Sequence, residues 1–189
     1  MTGLALPNPL ALIVVDVQKG FDDPVWGRRN NPEMEERVGA LLAAFRAHQQ
    51  PVVFVRHDSR ELDSPLAVGT PGNEFQAVVQ GDPDLLVIKH VHSAFYGKPD
   101  LDHWLQDHGV ESIAICGIAT DHCCETTARM AGDLGYATFL ILDATRAFDR
   151  MTPLGQAIPA EQIAQATGAS LHDEFATVVD TSSVLEALG

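Results

Sequence analysis

A chain of 189 residues, 46% apolar and 20% charged, is long enough to bury one substantial core and is expected to form a single domain over residues 1–189. Its formal net charge of −14, with no basic run, argues against nucleic acid and anionic membrane surfaces as partners and is most simply a matter of solubility. No stretch approaches the roughly 20 apolar residues of a membrane span, and MTGLALPNP lacks a basic-then-apolar signal pattern.

Leu10 to Val15 (LALIVV) is a continuous apolar run, the pattern of a strand covered on both faces of a parallel sheet. Asp16 stands at its C-terminal end, where open α/β folds place ligands. Residues 18–32 form a loop rich in Gly, Pro and Asn. Phe21 and Trp26 in that loop either line a pocket or cover the core. Glu33 to Gln49 reads as an amphipathic helix, with Met34, Val38, Leu41, Leu42 and Phe45 on one face and Pro51 as its stop. Val52 to Val55 is a second buried strand, followed by Arg56, His57, Asp58 and Ser59. The long loop over residues 60–75 carries turn signals at Ser64-Pro65 and Pro71-Gly72.

Leu85 to Ile88 is a third strand, closed by Lys89. That lysine either snorkels to solvent or is held beside a thiolate or carboxylate. Leu101 to His108 is a short helix. Thr138 to Leu142 is a fifth strand ending at Asp143. Residues 159–169 suggest a helix, Thr177 to Val179 a last short strand, and residues 182–188 a closing helix. Strand and helix alternate throughout, which predicts a doubly wound, mainly parallel sheet in a three-layer α/β/α sandwich.

The fourth strand, Ser112 to Cys116, leads into the most informative stretch. Gly117 breaks the run, and Thr120 or Asp121 could cap a helix that is under way by His122. Cys123 then falls in the first turn of a helix that starts straight after a strand. Unpaired N–H groups and the helix dipole there favour a thiolate and can lower a thiol pKa below its reference of about 8.5. The arrangement is that of a nucleophile elbow with Cys in place of Ser. The alternative is a small buried hydrophobe. Cys116 is expected in the core, and Cys124 points about 100° away from Cys123. Adjacent cysteines with no second cluster do not make a zinc site. An odd count of three argues for free thiols in a reducing, cytoplasmic compartment.

Asp16, Lys89 and Cys123 thus stand at the C-terminal ends of three strands or just beyond, edges that converge on one crevice in a doubly wound sheet. An acid, a base and a thiol are the parts needed for nucleophilic acyl transfer. On ALIVVDVQKGF, VVFVRHDS, SPLAVGTPGNEF, VIKHVHSAF and GIATDHCCETTARMAGDLGY, in that order, the chain resembles the isochorismatase-like cysteine hydrolase superfamily, which includes nicotinamidases and N-carbamoylsarcosine amidase. The resemblance runs from residue 9 to about residue 180.

It implies an Asp16–Lys89–Cys123 triad, a cis peptide at Ile118-Ala119, and an oxyanion hole from the N–H groups of Ala119 and Cys123. It also suggests, with the residue reading, substrate contacts from Phe21, Trp26, His57, Phe95 and Thr120. His57 and Asp58 either meet substrate or order the long loop. Nicotinamidases carry a D-x-H metal motif where this chain reads Arg56-His57-Asp58-Ser59, so neither metal nor cofactor is expected. The leading expectation is a metal-independent cysteine hydrolase acting on a C–N bond of a small amide, carbamoyl or lactam substrate, assembled as a homodimer or homotetramer. The alternatives are an isochorismate-type vinyl-ether hydrolase, against which Cys123 argues, and a thiol-based binding or redox protein on the same fold.

Overall fold

Both faces of the apolar runs are covered. The structure is a computed structural model and describes residues 4–189. In chain order its elements are β1 (Ala11–Val15), α1 (Met34–Ala47), β2 (Val52–His57), β3 (Leu85–Lys89), α2 (Leu101–Asp107), β4 (Ser112–Ile118) and α3 (Glu125–Asp133). There follow β5 (Ala137–Arg146), β6 (Arg150–Met151), β7 (Ala157–Ile158), α4 (Ala160–Leu171), β8 (Thr177–Val179) and α5 (Thr181–Leu188).

Six strands pair in parallel in the order β3-β2-β1-β4-β5-β8, and β6 and β7 form a separate antiparallel pair. Strand β1 shows why its apolar run is unbroken. Leu12 and Val14 face one layer, with Met34, Val38, Leu41 and Phe45 of α1 and Val184 of α5. Ala11, Ile13 and Val15 face the other, with Leu101 and Leu105 of α2, Ala128 and Ala131 of α3 and Leu171 of α4. Successive residues of a strand point to opposite faces, so a strand between two helical layers must be apolar at every position. The result is the three-layer α/β/α sandwich. No helix among the described residues is long and apolar enough to cross a membrane.

Strand β5 runs past the expected end at Asp143, because it bulges and then resumes. Ile115 pairs with Leu140 but Gly117 with Thr145, so two steps along β4 match five along β5. The bulge takes its own partners. Asn31 Nδ2 donates to the carbonyls of Leu142 and Thr145 at 3.1 and 2.7 Å, and Asp143 accepts from Thr181 N and Oγ1 at the start of α5, both at 2.8 Å. The apolar signal stops at Leu142 for that reason, while the resumed strand carries two fully buried polar residues, Thr145 and Arg146. The small β6–β7 hairpin was not foreseen.

The chain builds outward through β2 and β3 and then returns to the other side of β1 as β4. The crevice of a doubly wound sheet opens at such a reversal, between the C-terminal ends of β1 and β4. Gly117 allows the close approach there. Its φ is +126°, and a Cβ would sit 2.0 Å from the Val15 carbonyl oxygen.

Candidate active site

Asp16 follows β1 with φ of 51°, a left-handed conformation uncommon for a non-glycine residue and one that Asp tolerates better than most. It is fully buried. Its Oδ2 accepts from Lys89 Nζ at 2.5 Å, and both side chains are inaccessible to solvent. Lys89 leaves β3, two strands away, so its stem crosses the end of β2 to reach Asp16. Two strand spacings come to about 9.6 Å, a span that an extended lysine and the Asp16 side chain cover together where a shorter base could not. The same Nζ donates to Cys123 Sγ at 3.3 Å and lies 3.4 Å from His57 Nδ1. Burial works against the ammonium, but the charges of Asp16 and Cys123 outweigh it and hold Lys89 above the usual lysine value. Among the described residues Asp16 Oδ1 has no hydrogen-bond partner, leaving one carboxylate oxygen open to a proton.

The turn that carries Cys123 differs from the expected helix start. Thr120–Cys124 forms a wide π-helical turn before α3, in which Cys124 N donates to Ala119 O at 3.1 Å across five residues. Neither expected cap acts as one. Thr120 Oγ1 donates to Thr145 Oγ1 at 2.7 Å, and Asp121 accepts from Arg150. The Ile118-Ala119 peptide is cis. Among the described residues no backbone carbonyl accepts from the Ala119 N–H.

The expectation of a lowered thiol pKa is also corrected. Burial, followed by the charge of Asp16, pushes Cys123 up to about 12, with Lys89 opposing. A turn's dipole cannot match both the loss of water and a carboxylate at close range.

Cys123, 6% exposed, lines a cavity of about 90 Å³. One wall is apolar: Phe21, Trp26, Phe148 and Leu66. Its rings are in contact, with centroids 5.0 Å apart for Phe21 and Trp26 and 5.7 Å for Trp26 and Phe148. The other wall carries His57, His92, His122 and Arg150. Grooves of about 550 and 590 Å³ lie elsewhere on the surface, and neither contains any of these groups.

Of the expected substrate contacts, Phe21, Trp26 and His57 line the cavity. Phe95 and Thr120 do not. Phe95 packs on Tyr136 with centroids 5.8 Å apart, and Thr120 is fully buried against Thr145. His57 and Asp58 part company. His57 faces Lys89, and burial together with that charge lowers its pKa. Asp58 orders the long loop, accepting from Arg56 Nε at 2.8 Å and Asn73 Nδ2 at 3.0 Å. Gln18, a residue the sequence did not single out, locks the same loop to β2. It donates to the carbonyls of His57 and Asn73 and accepts from His57 N. His92, His122, Phe148 and Arg150 were likewise missed. The last two follow the unforeseen extension of β5, and no local pattern marks them. Cys116 and Cys124 are fully buried in opposite faces of the core. Among the described residues no three His, Cys, Asp or Glu side chains converge as a metal site.

Comparison with known proteins identifies the family. The chain is 38% identical to the isochorismatase-family protein YrdC of Bacillus subtilis, over 93% of this chain and 94% of that one. It is 30% identical to Nicotinamidase 3 of Arabidopsis thaliana, over 94% and 88%. The structure of an isochorismatase-family protein from Chromobacterium violaceum superposes with a TM-score of 0.93 at 34% identity, covering 100% of this chain and 98% of the other. A cysteine hydrolase from Pseudomonas syringae pv. phaseolicola superposes with 0.86 at 28% identity, over 100% and 98%. With the Isochorismatase domain model also matching residues 10–183, the chain belongs to the isochorismatase family.

Proposed function

We propose that this isochorismatase-family hydrolase cleaves a C–N bond of a small amide, carbamoyl or lactam substrate through a thioester on Cys123, without a metal. The observation that carries the reading is Lys89 Nζ seated between Asp16 Oδ2 and Cys123 Sγ, the last of which lines the cavity. The names of two similar proteins, a nicotinamidase and a cysteine hydrolase, point the same way.

The chemistry follows from the three groups. Asp16 takes the thiol proton as Cys123 Sγ attacks the carbonyl carbon. The N–H groups of Ala119 and Cys123 receive the oxyanion, and losing one such donor typically costs on the order of 10²–10³ in rate. The tetrahedral species collapses, Asp16 hands its proton to the departing nitrogen, and ammonia or an amine leaves. Asp16 then draws a proton from water, the hydroxide attacks the thioester, and the acid departs as the proton returns to sulfur. Lys89 stays charged throughout, so neither the carboxylate nor the emerging thiolate is left without a counter-charge.

A panel of small amides, carbamoyl compounds and lactams, read by ammonia release and mass spectrometry, tests the reading. At least one member should release amine and leave a transient acyl mass on wild-type protein, and neither should occur with Cys123→Ala. A panel without turnover, from protein whose Cys123 still reacts with iodoacetamide, would remove the proposal.

A further inference from the structure

Among the described residues lining the cavity, Arg150 carries the one permanent charge; Lys89, which bonds Cys123, is not among them. Lys89 is held by Asp16. Arg150 is held by Asp121 through Nε at 2.9 Å and a second guanidinium nitrogen at 3.3 Å. That pair is largely sheltered, with Asp121 14% and Arg150 28% exposed. The remaining polar lining is imidazole. His122 lies 3.5 Å from Arg150 through Nδ1, and its ring meets His92 edge-on with centroids 5.6 Å apart. Burial first of all holds both His57 and His122 below the ordinary histidine value, which favours their neutral forms.

Resting on the amidohydrolase reading, we propose that Asp121 sets the charge selectivity of the site: by occupying Arg150 it leaves no free cation, so the cavity takes compact, uncharged amides and turns away anionic ones. A carboxylate entering a space of about 90 Å³ would lose water and find its natural partner engaged. An uncharged amide with a short apolar acyl group loses little water there and gains the wall of Phe21, Trp26 and Phe148. The acidic chain as a whole disfavours anions as well, but that long-range field is screened by salt, whereas the local pair is not.

Iodoacetamide and iodoacetate form a matched neutral and anionic pair of probes for Cys123, needing no turnover. Their rate ratio is measured at about pH 8, where neutral imidazole prevails. Salt of about 0.3 M screens the overall field. The ratio is normalised to the same pair reacting with glutathione, and Cys123→Ala supplies the background. Wild-type protein should favour iodoacetamide by at least about tenfold, a modest value for one missing counter-charge in a sheltered site. Asp121→Asn, which frees Arg150, should cut that preference at least about fivefold by the same reasoning. Arg150→Gln, which leaves Asp121 alone, should preserve or raise it.

A wild-type ratio equal to that of glutathione, or reversed, would overturn the proposal. So would an Asp121→Asn ratio identical to wild type. If Asp121→Asn does not fold, the wild-type and Arg150→Gln ratios decide. Turnover of butyramide against succinamate separates the two levels of inference. Faster hydrolysis of succinamate would refute the charge selectivity and keep the amidohydrolase. Selective alkylation without turnover of any amide would do the reverse.

Discussion

Asp16, Cys123 and His57 share one cation, Lys89, and Asp16 and Lys89 pull the thiol in opposite directions. Asp16 raises the Cys123 pKa and Lys89 lowers it. Their substitutions should therefore agree in one measurement and disagree in another. Asp16→Asn and Lys89→Met should each lower kcat/KM by at least about 10², the range for losing general acid–base help. The pH dependence of Cys123 alkylation by iodoacetamide should meanwhile shift to lower pH in Asp16→Asn, where Lys89 is unopposed, and to higher pH in Lys89→Met. Thiol titrations that do not move apart would mean the three groups are not coupled as drawn. At the proposed nucleophile, Cys123→Ala and Cys123→Ser should abolish turnover with the fold intact. Cys124→Ala, in the core beside α2 and α3, should keep activity and lose about 1 kcal/mol of stability in denaturant titration, the scale for a small buried deletion. Adding Asp16→Asn to Cys123→Ala should cost nothing further, since residues acting as a unit are not additive.

At the scale of elements, what was legible is what period and composition encode. Strand β1 could be read because both its faces are buried, and α1 because only one of its faces is. The ends of β1 and β3 and the turn after β4 placed Asp16, Lys89 and Cys123 together through the logic of the parallel sheet. Features made by long-range partners could not be read. Nothing local announces that Asn31 and Thr181 satisfy a bulge in β5, or that the strand resumes at Thr145. Phe148 and Arg150 were lost with it. Thr120 looked like a helix cap because caps are local, but Thr145 claims its hydroxyl.

Arg146, on the resumed part of β5, shows what that extension supports. It is fully buried, pairs with Glu35 and with Asp22 at 3.0 Å, and donates to the Phe21 carbonyl at 3.2 Å. It thereby ties the loop bearing Phe21 and Trp26 to the sheet. Arg146→Met leaves Glu35 and Asp22 without this partner, and should cost about 1 kcal/mol in urea unfolding, a modest value because both carboxylates keep contact with water. KM for the amide identified by the panel should rise more than kcat falls, because the aromatic wall loosens while the triad does not. Unchanged stability would show that Arg29, which also bonds Glu35, suffices alone.

For the molecule as a whole, buried thiols make alkali the weak side. Burial raises Cys116 from 9.0 to about 12, burial and Asp16 raise Cys123 from 9.0 to about 12, and Cys124 moves the same way. In the unfolded chain these thiols ionise near 9. Between about pH 9 and 12 the unfolded state has released protons that the native state keeps, so stability falls as pH rises across that window. Lys89, held above 10.5, adds stability that is likewise lost as pH rises through its folded value. On the acid side Glu35 and Asp58 are held below 4.5 and 3.8, mainly by Arg29 and Arg56 working against burial, and their contribution is lost as pH falls. A thousandfold change in one thiol's acidity is worth about 4 kcal/mol, and a whole domain is stable by only about 5–15. Urea titrations under reductant should thus show a steep loss above about pH 9, with more than one proton released on unfolding. General charge repulsion in so acidic a chain would give a similar slope, and Cys116→Val tells the two apart. It keeps an apolar side chain in the core and removes one titrating group, so its stability should decline less steeply than wild type by one proton. Parallel profiles would assign the alkaline loss to net charge and leave the buried thiols without a part in it.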